Sequence, residues 1–446
     1  MKEAIKLSDH FTYSRLIRFT LPSVLMMVIG SVYSIVDGLF ISNYAGSDAF
    51  AAVNLIMPVL MIAACPAFMA GAGGSAYVSK LLGEGREDDA RSAFSLIVYL
   101  LLAVSAAIVV FILLAAPWIA RRLGAEGRIY TDCVTYGRIL GASLPAFMLQ
   151  IFFQSFMVVA EKPKMGLVIA VSSGVTNMVL DALLVGYLKL GVAGAAAATL
   201  IGQCIGGMYP MLYFAFRKNR LLWFTRPLWR MGTVTKTASN GFSSFLTNLS
   251  TSLVSMAFNI QLMSMTGSDG VVAFGVVMYV SYIVVGMFNG YSTGIAPVFS
   301  YDLGSRNSQE LKSLFKKSVV VIAALSVVMT TLFIVFARSL AAIFVSYDEG
   351  LMALTEEAVR LYGISFYLAG FNIFVAAYFA AMNNGTVSGL LSILRILVFQ
   401  IGAVFLLPLA LGEIGIWLSV SLAEALSLAV TLYFLHRLPP GKFQQG

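Results

Sequence analysis

Apolar residues in this chain fall in long unbroken runs, each closed by a short stretch of charged, glycine or serine residues. Residues 96–116 and 319–337 are typical, since wound as helices they are apolar on every side. Each run reaches the ~20 residues that a helix needs to cross a bilayer, and about twelve can be counted. A transmembrane barrel would instead show segments of ~10 residues that alternate apolar and polar. The pattern therefore predicts an all-α integral membrane protein with twelve transmembrane helices.

The runs also repeat. Gly46-Ser47-Asp48 returns as Gly267-Ser268-Asp269, 221 positions further on (267 − 46). Gly83 with Gly304, Gly191 with Gly412, Gly194 with Gly415, Phe94 with Phe315 and Arg91 with Lys312 keep the same separation. Each half thus holds six spans, and an even number preserves orientation, so the halves are parallel copies related by an axis along the membrane normal. The expected organisation is an N-terminal six-helix lobe over 1–216, a basic inter-lobe linker over 217–237, and a C-terminal six-helix lobe with a short tail over 238–446. Such a parallel duplication without a soluble domain favours a transporter that rocks two bundles about a central site. Nothing resembles a Walker loop, so an ion gradient or the substrate's own gradient must supply the energy.

Composition agrees with the pattern: 59% of residues are hydrophobic and only 11% charged, against roughly a quarter charged in soluble domains. Of the 29 Lys and Arg residues, about 21 fall on the side of the N-terminus if crossings alternate, which predicts cytoplasmic termini in a cell membrane. The net charge of +8 is spread among short loops. It suits anionic lipid headgroups and gives no basic domain for nucleic acid. The first apolar run is too long for a signal peptide and is expected to stay as the first span. Cys65, Cys133 and Cys204 are too irregularly spaced for a disulfide framework or a metal site, and two histidines, His10 and His436, cannot build a zinc or haem site. The chain is expected to work as a monomer without a cofactor.

Candidate chemistry sits where the solvent is wrong for it. Asp37 and Asp181 lie inside spanning runs, where a charged carboxylate costs several kcal/mol unless it meets a cavity, a partner or a proton. Asp37 is placed about 6 Å and Asp181 about 9 Å from the outer ends of the first and fifth spans, at ~1.5 Å per residue. Asn177 lies one turn deeper on the face of Asp181, and Thr199 falls about 10 Å below the outer boundary of the sixth span. Two carboxylates, an amide and a hydroxyl form an oxygen set suited to a shared proton or a hard monovalent cation such as Na+, and either would relieve the repulsion between the acids. The second half holds Phe258 and Gly402 at the matching positions, so one lobe is expected to bind the ion and the other to supply wall and motion.

The chain resembles the multidrug and toxic compound extrusion (MATE) transporters over essentially its whole length. The resemblance rests on Pro22 and Ser34-Ile35-Val36-Asp37 in the first span, Asn177-Met178-Val179-Leu180-Asp181 in the fifth, and Gly191-Val192-Ala193-Gly194-Ala195-Ala196 with Thr199 in the sixth. Gly415-Ile416-Trp417 and Ala423-Glu424 carry it in the twelfth. It implies antiport, in which amphipathic and often cationic drugs leave against H+ or Na+ by alternating access of the two lobes. The DinF-like branch matches better; there Asp37, Asn177, Asp181 and Thr199 stand at the cation site, and Tyr33, Tyr136 and Gln154 at cavity positions. The NorM-like branch uses acids in the seventh and tenth spans. The seventh here offers Asn240, Asn248, Asn259 and Gln261, while Glu356 and Glu357 read as solvated charges at the mouth of the tenth.

Pro22 removes a backbone hydrogen bond from the first span and is a candidate hinge. Arg395 and Glu424 are expected to neutralise each other as a structural pair in the C-terminal lobe. The 21 Met and 32 Phe residues suit a cavity that accepts many shapes, although most must serve as packing or lipid-facing groups. Two other functions remain open at the level of sequence. A lipid-linked oligosaccharide flippase would call for a more basic cavity, and a membrane enzyme would use the aspartates as an acid–base pair.

Overall fold

The computed structural model describes residues 5–216, 221–346 and 348–441. Residues 217–220 of the expected linker and the tail beyond Gly441 lie outside the described residues.

The first half folds into α1 (Tyr13–Phe40), α2 (Ser47–Gly83), α3 (Glu87–Arg122), α4 (Gly127–Val159), α5 (Pro163–Asp181) and α6 (Gly191–Phe216). The second half starts with α7 (Met231–Met265), α8 (Gly267–Gly304) and α9 (Ser308–Val335), followed by the short α10 (Ala337–Val345). Its tenth span is a bent pair, α11 (Glu349–Gly363) with α12 (Phe366–Ala381), and its eleventh is assembled from α13 (Gly385–Ser392) and α14 (Ile401–Leu406) around a π-helical stretch, Ile393–Gln400. The small α15 (Pro408–Leu411) leads into α16 (Glu413–Arg437). Ten continuous helical stretches, the eleventh span's composite among them, and the bent pair are long and apolar enough to cross a membrane. The remaining span is α7, 35 residues long, whose Ser, Thr and Asn side chains hide it from a hydropathy reading.

Local chemistry fixes the ends. The Thr12 hydroxyl accepts from the Arg15 amide at the start of α1, and the Asn307 side chain accepts from the Glu310 amide at the start of α9, each satisfying an otherwise orphaned donor. Two of the four glycine pairs that mark the repeat sit at left-handed turns. Gly46 and Gly267 have φ of 96° and 70°, and Gly191 and Gly412 have 57° and 60°. A side chain would be strained there, which is why these positions hold glycine in both halves.

Two large apolar cores result, with a small third cluster of Val276, Ala341, Val345 and Leu351. One draws on residues between Ile41 and Leu222; the other draws on residues from Val254 to Val420, but also takes in Leu7, Phe11, Leu16 and Phe19 from the far end of the sequence. The repeat is visible inside them, since Phe94 packs on Phe153 at 6.4 Å and their counterparts Phe315 and Phe374 pack at 5.7 Å.

The lobes meet along seams with the same symmetry. A Cβ on Gly83 would lie 2.0 Å from the Tyr301 carbonyl oxygen, and one on Gly304 would lie 2.0 Å from that of Lys80. Lys80 and Tyr301 are themselves a repeat pair, so this is one contact made twice about a pseudo-twofold axis. Higher up, Gly73 of α2 approaches Thr237 and Gly241 of α7, while Gly294 of α8 approaches Thr20 and Ser23 of α1. These seams close the end of the bundle that carries the loops at 84–86, 160–162 and 305–307, hereafter the basic end.

Candidate functional site

Asp37 stands near the end of α1 away from the basic end, and Asp181 is the last residue of α5 before a π-helical stretch, Ala182–Tyr187. A π turn adds one residue to the helical circuit and redirects what precedes it, a feature frequent at functional positions. The two carboxyl groups are near enough for each to feel the other's charge.

The rest of the oxygen set surrounds this pair. Asn177 is buried on the Asp181 face of α5, and its Nδ2 donates to Thr199 Oγ1 of α6 at 3.3 Å. Tyr136 of α4 is fully buried in the field of both acids, and Tyr33, one turn before Asp37, lies beside it. Buried oxygens without a hydrogen-bond partner gather here: Asp37 Oδ1, both oxygens of Asp181, Asn177 Oδ1 and the Tyr136 hydroxyl. Buried polar atoms are normally paired. Five such atoms in one cluster leave acceptor capacity that a positively charged ligand could use. The donor set is oxygen only, and among the described residues no group of three or more His, Cys, Asp or Glu gathers for a metal ion. It fits a proton or a hard monovalent cation and not a transition metal.

Gln154 stands apart from the cluster. It lies 18 residues beyond Tyr136 on α4, about 27 Å along the helix axis, and lines a narrow pocket with Gln150, Met157, Gly166, Gly206 and Pro210. Between the two runs a buried polar ladder that the sequence did not single out: Gln150 Nε2 donates to Ser173 Oγ at 3.3 Å, and Ser173 Oγ donates to the Gly202 carbonyl at 2.7 Å. Ser173 stands four residues before Asn177, which in turn stands four before Asp181. That spacing was the available signal.

Pro22 is buried within an unbroken α1, and its neighbours Ser23 and Val24 touch Gly290 on the α8 seam. In the second lobe, Arg395 Nη1 lies 3.3 Å from Glu424 Oε1, with both side chains largely buried. Asn372 was the missing third member: its Nδ2 donates to Glu424 Oε2 at 2.7 Å and to the Glu424 carbonyl at 2.9 Å. Arg395 sits inside the π-helical stretch of the eleventh span. Glu356 pairs with Arg360 at 2.7 Å, and Glu357 is exposed.

The counterpart of the acid site is apolar. Positions 221 residues after Asp37, Asn177, Asp181 and Thr199 hold Phe258, Val398, Gly402 and Val420, and Phe258 is fully buried against Phe274 with ring centroids 4.6 Å apart.

Twelve spans in two parallel lobes, with one intramembrane acid pair, define a multi-pass membrane transporter rather than an enzyme. The chain belongs to the MatE family, whose model matches residues 22–183 and again 243–406, once in each lobe. Among curated proteins, the multidrug export protein MepA of Staphylococcus haemolyticus (strain JCSC1435) is 25% identical over 434 residues, covering 96% of this chain and 94% of that protein. Among solved structures, a MATE in complex with MaL6 superposes with a TM-score of 0.93 at 21% identity, covering 99% of this chain and all of the other. The outward-facing conformation of a multidrug resistance MATE family transporter gives the same TM-score and identity, covering 99% of each chain. At that identity the structures speak for the fold.

Proposed function

We propose that this protein is a secondary multidrug exporter, in which amphipathic and often cationic drugs leave the cell against inward movement of H+ or Na+ through the Asp37–Asp181 site. The observation that carries this reading is the cluster of unpartnered buried oxygens on Asp37, Asp181, Asn177 and Tyr136 in one lobe, with Phe258, Val398 and Gly402 at the positions that match Asp37, Asn177 and Asp181 in the other. The name of the MepA relative supports the drug substrate. In this reading the basic end faces the cytoplasm, as the distribution of Lys and Arg requires, and both termini lie there in the cell membrane. The lobes over 1–216 and 238–446 rock about the linker, with the present arrangement closed toward the cytoplasm. Asp37 and Asp181 release their ligand as the lobes move, and Asn177, Thr199 and Tyr136 complete its coordination. Tyr33 lies next to Asp37 and meets substrate, Gln154 serves the pocket it lines, and Pro22 lets α1 bend at its seam with α8. The protein acts as a monomer embedded in lipid.

A flippase for lipid-linked pyrophosphates would need basic groups where this lobe is acidic. The test is drug efflux from proteoliposomes under an imposed proton gradient and, separately, a sodium gradient. Asp37→Asn and Asp181→Asn are each expected to abolish efflux at normal expression. Retained efflux in both variants would overturn the site, and no gradient-driven efflux by the wild type would overturn antiport.

A further inference from the structure

Two segments without helical structure cross the basic end, and they are tied in mirror fashion. Residues 5–12 lead into α1 of the first lobe yet are held by α9 of the second. The Phe11 amide donates to Glu310 Oε1 at 2.9 Å, His10 Nδ1 lies 2.5 Å from Glu310 Oε2, and Lys317 Nζ donates to the Phe11 carbonyl at 2.6 Å. Leu7 and Phe11 are buried in the second lobe's core beside Leu311 and Leu314. On the first-lobe side the segment is anchored through the Leu7 amide, which donates to Glu161 Oε1 at 2.8 Å.

Residues 221–230 do the converse. They lead into α7 of the second lobe yet lie along α3 of the first. Arg230 Nη1 donates to Asp89 Oδ1 at 2.7 Å, the Leu228 amide to Ser92 Oγ at 3.0 Å, and the Thr225 amide to Ser95 Oγ at 2.9 Å. The Arg91 guanidinium covers the Trp223 ring at 3.8 Å. Asp89 and Glu310 are 221 residues apart, so the two ties use one acid in its two copies, in the first turn of the third helix of each lobe.

We propose that these crossed ties form a paired latch that holds the cytoplasmic side closed and must open on each transport cycle. Each segment is covalently continuous with the first helix of one lobe and bonded to the third helix of the other, so separation of the lobes at Gly83 and Gly304 pulls on both ties. Glu310 and Asp89 are positioning residues for this motion and touch neither the ion nor the drug. Their duplication makes the latch balanced: neither lobe opens without releasing both acids. The latch rests on the alternating-access reading given above.

The test measures the latch itself. Spin labels at Lys164→Cys and Gln309→Cys, both exposed on opposite lobes at this end, are placed in full-length protein with Cys65, Cys133 and Cys204 replaced by Ala, and distances are read by pulsed electron resonance in lipid nanodiscs. Wild type is expected to show a dominant short distance and a minor long one. Glu310→Ala and Asp89→Ala are each expected to raise the ratio of long to short about tenfold, the scale of one hydrogen bond to a charged group, and together to make the long distance dominant. Glu310→Gln keeps an oxygen for the Phe11 amide and should give a smaller rise. His10→Ala, at an exposed side chain, repeats the test if Glu310→Ala does not fold. Two distances in unchanged proportion in folded variants would overturn the latch alone. A single distance in wild type, with and without drug and gradient, would overturn alternating access and the latch together.

Discussion

At the scale of single residues, the acid pair and the Arg395–Glu424 pair pose opposite problems. Arg395 and Glu424 satisfy each other, with Asn372 taking the remaining carboxylate oxygen, whereas the oxygens around Asp181 are left open. Removing one member of the satisfied pair strands a buried charge, so Arg395→Ala is expected to lower stability by about 3–5 kcal/mol. Arg395→Met with Glu424→Leu should recover most of that loss in a detergent melting experiment. Tyr136→Phe separates structure from function at the open site. Its hydroxyl has no partner, so the variant should melt at or above the wild-type temperature, yet proton-driven efflux should fall about tenfold if that oxygen helps hold the coupling ion. Unchanged efflux would remove Tyr136 from the site. Asp37, Asn177, Asp181 and Thr199 stand out in the sequence because oxygen-bearing side chains in apolar runs are costly and their depth follows from helical rise. Asn372 and the Ser173–Gln150 ladder were not, since uncharged polar residues are cheap enough in a helix to carry no signal alone.

At the scale of elements, spans defined by apolar runs were readable, and the exceptions have local causes. The bend of 46° in the tenth span has no proline at the break. There Ser365 Oγ bonds back to the Tyr362 carbonyl at 2.7 Å, diverting a helical acceptor, a cause that sequence spacing does not display. The seams between elements were only half visible, because a glycine announces a possible close approach without naming its partner. The geometry makes the consequence sharp: Gly241→Ala would set a Cβ 2.0 Å from the Met69 carbonyl oxygen, so α2 and α7 must move apart. Such overpacking costs about 1–3 kcal/mol. The variant is expected to lower the melting temperature and to shift the spin-label distances toward the open cytoplasmic form. Gly186→Ala, at a glycine with open space around it, should do neither.

At the scale of the whole molecule, the duplication was legible from glycine spacing alone, because turns that require positive φ cannot drift in residue type as freely as packed helices do. What the spacing did not reveal is how far the halves have diverged in chemistry. The acid site of one lobe faces an aromatic and aliphatic counterpart in the other, so rebuilding it takes more than two acids. Phe258→Asp combined with Gly402→Asp is expected to create no second coupling site, since Val398 and Val420 offer no oxygen. The melting temperature should fall because Phe258 leaves its stack on Phe274. A steeper dependence of efflux on proton gradient in that variant would contradict this.

The burial of Leu7, Phe11, Leu16 and Phe19 in the second lobe also sets a schedule for assembly. The Phe11 amide waits for an acceptor on Glu310, a residue made 299 positions later, and at ~5–20 residues per second that is a delay of roughly 15–60 s. Through that interval the start of α1 is in the membrane without its final neighbours, and the first lobe cannot finish before the second arrives. Biogenesis of this protein therefore ends with the docking of the segment that leads into α1.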